Sequence, residues 1–564
     1  MKKSEKLFLF TITPVQDFIS QSRKLRDLLG SSQILTDLSA IGMKICEDAG
    51  AQVVFPYFTQ GDTNRSYPNR FMVKFANVDK RRLEELAKTI ENSMKNHLQE
   101  AVHIDHPQIL KHIENYFTFY WAWCDMENDY KRAFDTVEKR LAGAKNTRFF
   151  RQLGDGLGEV GRKCSVCGER NVIVHNGLKL PDIQIRRDDP IREKHTYIVQ
   201  KGEGLCGVCY LKRIYGKKFY GKKSFESTAE IAMMHILHRL DMEQFPHLKK
   251  DAQLLYEENL TSEYFRKNSI DGDLKVYQKE FANFEKVRKD LGLKSTSYYA
   301  VIMFDGDSMG EWLSGKKLKD PSQTEKFHRY LSQKLGEFAA YVKSEIGAPK
   351  GVTVYAGGED FLGFVNLHAL FDVVQMLRSK WDEIVADPLN GEFDFVEDEK
   401  ITFSAGVVLA HYKTPLGAVL RKAREAEKAA KEYRATKNML CITAMKRSGD
   451  RRSSFVNFSQ LHLLPKILQQ LQENFSDKFM NVLDEEFEVL GSPMEEMVQI
   501  ELKRLLKRAK LRDDVSIELL YDALSELLTM DYLQKAPANF YQQSVIANFV
   551  NNLYLLRFIK RQFV

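Results

Sequence analysis

The sequence predicts an α+β fold. It comprises two ferredoxin-like (βαββαβ) units, a cysteine-bearing helical linker and a C-terminal α-helical bundle. Three observations predict it. The order strand, helix, hairpin, helix can be read near the N-terminus and again after residue 295. Two C-x-x-C pairs stand between the repeats. Beyond about residue 455 the apolar spacing is helical almost to the end. At 564 residues the chain is also too long for one ordinary core. The expected domains are therefore 1–150, 151–295, 296–454 and 455–564.

In the first unit, "KLFLFTIT" reads as a strand and "PVQDFISQSRKLRDLLGSSQILTDLSAIGMKICEDAG" as helices. "AQVVFPYF" and "NRFMVKFANV" form a hairpin around a polar loop, and "DKRRLEELAKTIENSMKNHLQEAV" is a long amphipathic helix. Residues 100–150, with the aromatic run "IENYFTFYWAWCDM", are expected to continue as helix, the aromatics serving as core. The basic run before the first strand precedes too short an apolar stretch for a signal peptide. No stretch approaches the roughly 18 apolar residues of a membrane span. A cytoplasmic location without membrane contact is expected. The net charge of +7 permits an anionic partner without requiring one.

The cysteine pairs, Cys164 with Cys167 and Cys206 with Cys209, are separated by 38 residues. Two such knuckles supply four thiolates, the donor set of a closed tetrahedral Zn²⁺ site. A redox role would need only one pair. With no open ligand position, the ion would be structural. Cys46, Cys124 and Cys441 are isolated and read as ordinary thiols.

In the second unit, "SYYAVIMFDGDSMGEWLSG" is a strand ending in acids, and "VTVYAGGEDFLGFVNL" is a hairpin with Gly357-Gly358-Glu359-Asp360 at its tip. In a βαββαβ unit the first strand lies beside this hairpin, bringing Asp305, and nearby Asp307, to Glu359 and Asp360. Carboxylates so close raise one another's pKa values, and divalent cations relieve that strain. Mg²⁺ takes a few carboxylates plus phosphate oxygens. Two ions about 4 Å apart can activate an attacking hydroxyl and stabilise leaving pyrophosphate. Gly357 and Gly358 let the backbone approach a phosphate. Lys428 and Lys431, on one face of "AREAEKAAKEYR", can reach the same phosphates. A lone G-G-E-D would be weak evidence. The strand-end acids, "FSAGVV" and the basic helix together point to a nucleotidyl-transferring unit.

"FDGDSMGEWL", "YAGGEDFLGF", "FSAGVVLAHYKTPLGAVLRKAREAEKAAKE" and "MKRSGD" resemble the cyclase-type palm of the large subunit of type III CRISPR–Cas effector complexes. "TPVQDFISQSRKLRDLLGSSQIL", "SYPNRFMVKF" and "STAEIA" resemble its III-B (Cmr-type) branch, and the resemblance runs the length of the chain. It implies a target-RNA-activated enzyme making cyclic oligoadenylate from ATP, with Mg²⁺ or Mn²⁺ as a pair of ions and structural Zn²⁺. Its implied partners are the other Cmr-type subunits, crRNA and target RNA. Asp305, Glu359 and Asp360 would hold the metals, the Gly306 carbonyl would be a further ligand, and Lys431, with Lys428, would steady the triphosphate.

Two departures stand out. The family motif is usually G-G-D-D, and Glu359 lengthens the first acid while keeping its charge. No His-Asp dipeptide occurs, so the HD nuclease domain of many relatives is expected to be absent. The first unit lacks the acids: its strand ends in threonine and proline, and only Asp62 lies in its hairpin loop. It reads as a non-catalytic twin able to wall part of an ATP pocket. Its "SQSRKLRD" is expected as a solvated helix face, and so are the basic "GKKFYGKK" and "KRSGDRRSS". Alternatives are transfer of AMP to another acceptor such as S-adenosylmethionine, an inactive scaffold, and a diguanylate cyclase. The last is disfavoured by the duplicated unit, the cysteine segment and the lack of a sensor domain.

Overall fold

The structure, a computed structural model, describes residues 5–57, 67–127, 129–147, 159–195, 198–220, 227–268, 270–396, 399–447, 449, 451–490, 495–533 and 545–563. Asp62 and parts of the two basic stretches fall outside these residues. The class is α+β, with three sheets among many helices.

The first sheet contains β1 (Glu5–Thr13), β2 (Gln52–Phe55), β3 (Arg70–Ala76) and β4 (Thr118–Asp125), in the order β2-β3-β1-β4, all antiparallel. Both faces of β1 are covered, which is why its sequence is a continuous apolar run and does not alternate. Leu7 and Leu9 pack with helix Tyr130–Asn146, while Phe8, Phe10 and Ile12 pack with helices Leu25–Asp48 and Lys80–Val102.

β4 corrects the expected helix over 100–150. The helical stretch ends at Val102, a short helix covers Pro107–Glu114, and the aromatic run is then extended. Ala122 and Cys124 face one core, whereas Phe119, Trp121 and Trp123 face the other. That two-residue alternation, and aromatic side chains suited to a pleated surface, favour a strand once β1 offers an edge.

The cysteine segment carries a small sheet of β5 (Val174–His175), β6 (Ile191–Arg192) and β7 (Gly204–Leu205), in the order β6-β5-β7. Helix Gly207–Tyr220 leaves it and lies along helix Leu25–Asp48. Their seam holds a buried ionic cluster: Arg213 Nη2 donates to Asp27 Oδ2 at 3.0 Å and Nη1 to Glu203 Oε2 at 3.2 Å. The "SQSRKLRD" segment is thus not simply a solvated face, because Ser22, Leu25 and Asp27 are buried in this seam.

The second sheet holds β8 (Tyr298–Gly306), β9 (Gly351–Ala356), β10 (Asp360–Asn366), β11 (Phe403–His411), β12 (Met439–Met445) and β13 (Arg451–Asn457). Its order is β13-β12-β11-β8-β10-β9, with only β11 and β12 parallel. The four strands from β8 to β11 repeat the order of the first sheet. β12 and β13 extend that repeat beyond the sequence reading. One face packs on helices Thr324–Glu345 and Leu370–Trp381 and on the C-terminal helices; the other packs on helix Leu416–Tyr433 and the helices of the first unit. Helix Val545–Phe563 covers the exposed edge: the Asn548 amide accepts from Phe455 N at 2.8 Å and donates to Phe455 O at 2.9 Å. Among the described residues no helix is long and apolar enough to cross a membrane.

Candidate active site

Asp360 opens β10 directly opposite Asp305 near the end of β8, so the two carboxylates project on the same face of adjacent strands. Gly306 N donates to Glu359 O at 2.9 Å and Gly357 N to Asp360 O at 3.1 Å, which fixes the hairpin tip against the strand end. Gly358 has φ +117°, a conformation that a side chain would strain.

Helix Leu416–Tyr433 supplies the cation. It approaches β11 closely enough that a Cβ on Gly406 would lie 2.3 Å from Glu427 N. The glycine of "FSAGVV" therefore sets the height of this helix above the sheet. At that height Lys431 forms an ion pair with Asp305, and its Nζ also lies 3.3 Å from Gly306 O and 3.3 Å from Glu427 Oε1. Lys428 is exposed and lies 3.7 Å from Glu432 while lining the same cavity.

The acids divide between two cavities. Asp305, Asp360, Tyr355, Lys428 and Lys431 line one of about 360 Å³. Glu359, Gly357 and Gly358 line another of about 140 Å³ on the other side of the hairpin tip. Among the described residues, only the four cysteines form a group of three or more Cys, His or acidic side chains compact enough to share one ion. Asp307 lines neither cavity. It is buried, with Oδ2 accepting from Thr402 Oγ1 at 2.7 Å and Asn438 N at 3.1 Å, and Oδ1 has no partner among the described residues.

Electrostatics favour an added cation. Burial, then Asp305, raises the Glu359 carboxyl above its ordinary range. Asp360 is pushed well above it by burial and by Glu359 and Asp305. The Tyr355 phenol is raised by burial and the same acids. Lys431 stands between Asp305 and Gly306 O where a hard cation would find the same oxygens, so the donor set fits Mg²⁺ or Mn²⁺.

The sequence reading missed several neighbours. Glu427 could have been found from its i,i+4 spacing to Lys431. Lys437, whose Nζ donates to Ser308 Oγ at 2.8 Å, follows the helix and carries no motif. Arg70, which lines the smaller cavity, comes from the first sheet. No local pattern ties it to residues nearly three hundred positions away. The first unit walls both cavities: Val15, Gln16 and Ile19 line the larger, and Arg424 Nη2 donates to Gln16 O at 2.9 Å.

In the cysteine segment, the four Sγ atoms lie within 4.8 Å of one another. Gly168 N donates to Cys164 O at 3.0 Å and Tyr210 N to Cys206 O at 2.9 Å, closing the two knuckle turns. Four soft sulfur donors, with no fifth group among the described residues, fit a closed site of the zinc type.

Two family models match this chain in order. Residues 7–103 match the N-terminal domain of the CRISPR-associated protein Cmr2, and residues 298–441 match the second palm domain of Cas10/Cmr2. In these two segments the chain is similar to Cas10/Cmr2 proteins. A curated relative, the CRISPR system Cmr subunit Cmr2 of Pyrococcus furiosus, is 24% identical over 587 aligned positions that cover 82% of this chain. The chain spans 64% of the length of that relative. Two solved structures share the fold seen here. One is a chain of the type III-B Cmr-beta complex bound to cognate target RNA, at 13% identity and TM-score 0.66, covering 99% of this chain and 83% of that one. The other comes from the apo state of Cmr-beta, at 14% identity and TM-score 0.65, covering 99% and 82%.

Proposed function

We propose that this chain is the nucleotidyltransferase subunit of a type III-B CRISPR ribonucleoprotein, forming cyclic oligoadenylate from ATP when target RNA is bound. The observation that carries the reading is the cross-strand pair Asp305 and Asp360, with Lys431 in the cation position beside the Gly306 carbonyl. Its likeness to a chain of a Cmr-beta complex bound to target RNA supports target RNA and other Cmr-type subunits as partners.

Asp305, Asp360 and Gly306 O would hold Mg²⁺ or Mn²⁺, with Glu359 completing the set from the far side of the hairpin tip. The bound ions would lower the pKa of a ribose 3′-hydroxyl and take up charge on leaving pyrophosphate. The chain's own residues do the rest. Lys431, freed from Asp305, neutralises triphosphate oxygens, and Lys428 adds charge at the rim. Gly357 makes room for the Tyr355 ring and Gly358 allows the turn its positive φ, while Gly306 and Asp307 hold the strand end in register. The smaller, largely apolar cavity takes the base and ribose, walled partly by the first unit as a non-catalytic twin. Zn²⁺ on Cys164, Cys167, Cys206 and Cys209 has a structural role in the linker. The division into domains 1–150, 151–295, 296–454 and 455–564 belongs to the same proposal.

The test is to assemble the protein with its partner subunits and crRNA, and to add target RNA, Mn²⁺ and labelled ATP. Wild type is expected to give cyclic oligoadenylates that disappear in E359A/D360A. A product requiring added S-adenosylmethionine would reassign the acceptor, and no target-dependent product would leave a scaffold.

A further inference from the structure

Three contacts seat the first unit on helix Thr324–Glu345. Lys74 Nζ pairs with Glu325 at 2.6 Å, Tyr57 N donates to Ser332 Oγ at 2.8 Å, and the Tyr130 hydroxyl meets His328 Nδ1 at 2.8 Å. The smaller cavity lies under this seam, lined by Leu331, Leu335 and Ala339 on one side and by Phe55, Asn69 and Arg70 on the other. Arg70 is the one lysine or arginine among its lining residues. Its guanidinium is oriented from two directions. Nη2 is ion-paired with Glu138, and the group stands 5.7 Å from the centre of the Phe55 ring. Asn69, next in the chain, is tied to β1 where Ile12 N donates to Asn69 O at 3.0 Å.

Nη2 is thus committed to Glu138, and Nε is the nitrogen that stands apart. Arg70 Nε is buried and, among the described residues, has no hydrogen-bond partner. A buried guanidinium N–H without an acceptor is costly, and the cavity it lines also holds Glu359. We propose that Arg70 is a positioning residue contributed by the first unit, its Nε–H donating to an acceptor atom of the nucleoside seated in this cavity. The inference rests on the nucleotidyltransferase reading and adds to it: the non-catalytic unit supplies a directional contact as well as a wall. Burial lowers the guanidinium pKa to about 10, so it remains cationic at neutral pH, with Glu359 favouring the charged form.

The decisive variant is R70K. Lysine retains the charge and can pair with Glu138, but it lacks the second donor of the planar fork. Binding of a non-hydrolysable ATP analogue and of inorganic tripolyphosphate to the full-length protein would be compared by calorimetry. R70K is expected to weaken the analogue roughly ten- to hundredfold, as for loss of one charge-assisted hydrogen bond, and to leave tripolyphosphate unchanged. K74A, which breaks a seam contact whose partners, Lys74 and Glu325, do not line the cavity, should leave both unchanged. Wild-type affinity for the analogue in R70K overturns the proposal. So does a parallel loss of both ligands, or an equal loss in K74A, since either would mean that Arg70 only holds the seam. If folded wild-type protein binds tripolyphosphate but not the analogue, the nucleotidyltransferase reading fails and the role of Arg70 fails with it.

Discussion

His328 shows how a single residue can couple the two units to pH. Its ring is buried between Tyr130 and the carbonyl of Leu313, which lies 2.7 Å from Nε2. Burial lowers its pKa from 6.5 to about 4. The unfolded chain therefore takes up this proton near pH 6.5, while the folded protein resists until about pH 4. Stability that is complete above pH 6.5 is lost as the pH falls toward 4, by roughly 3 kcal/mol in all. In H328Q this contribution is gone. Urea denaturation at pH 7 and pH 5 should show the wild type losing about 2 kcal/mol more than H328Q between the two. Equal losses would mean that His328 is not held neutral. Neither His328 nor Arg70 was legible in the sequence, because His328 meets Tyr130 of the first unit and Arg70 shares its cavity with residues of the second, relations with no local pattern. Asp305, Glu359 and Asp360 were legible because a strand end and a hairpin tip carry their acids on consecutive, countable positions. The sequence could not show that the acids divide between two cavities, since that depends on how the hairpin tip is pinned to β8.

At the scale of elements, the height of helix Leu416–Tyr433 above β11 governs the site. A side chain on Gly406 would meet Glu427 N at 2.3 Å and Ala423 O at 2.6 Å, both backbone atoms that cannot swing aside. G406V must lift the helix, and with it Lys431 and Glu427. The expected cost is about 1–3 kcal/mol of stability, typical of overpacking. Tripolyphosphate binding should weaken at least tenfold, because Lys431 sits on the displaced segment. A destabilised G406V with unchanged tripolyphosphate affinity would separate the helix from the site. The helical repeat of "LRKAREAEKAAKEY" made this element plain in the sequence, whereas its close approach at Gly406 depends on tertiary packing. β4 was harder, since an aromatic run of eight residues suits a helix or a strand until a neighbouring edge decides. β12 and β13 are likewise defined by pairing to β11 and to each other, a relation with no local signature.

At the scale of the whole molecule, one apolar core runs from Phe8 and Phe10 through Leu28 and Leu35 to Val301, Phe364 and Val408. The helices of the first unit thus share a core with one face of the second sheet. The cysteine cluster is anchored in the same core through Cys164, Cys206 and Cys209. Helix Gly207–Tyr220 begins immediately after Cys206, carries Cys209 on its first turn, and holds helix Leu25–Asp48 through Arg213 and Asp27. If the four cysteines hold zinc as proposed, stripping the ion would release the start of Gly207–Tyr220. That would expose the Arg213–Asp27–Glu203 cluster, whose charges are stable in the interior only while paired. Loosening should then pass to helix Leu25–Asp48, which also contacts β9. The C-terminal helices should be spared, because they pack on the opposite face of the second sheet in a separate core. Hydrogen exchange on protein stripped by a strong chelator should show faster exchange in Gly207–Tyr220 and Leu25–Asp48 and unchanged exchange in Leu463–Glu473 and Val545–Phe563. C206S should reproduce the pattern, and metal analysis should find one zinc per chain in the wild type only. If exchange rises only around the knuckles, the ion stiffens a local loop and the ionic seam stands without it. If it rises throughout, the two faces of the second sheet unfold as one unit, and the division of the core at that sheet carries no energetic weight.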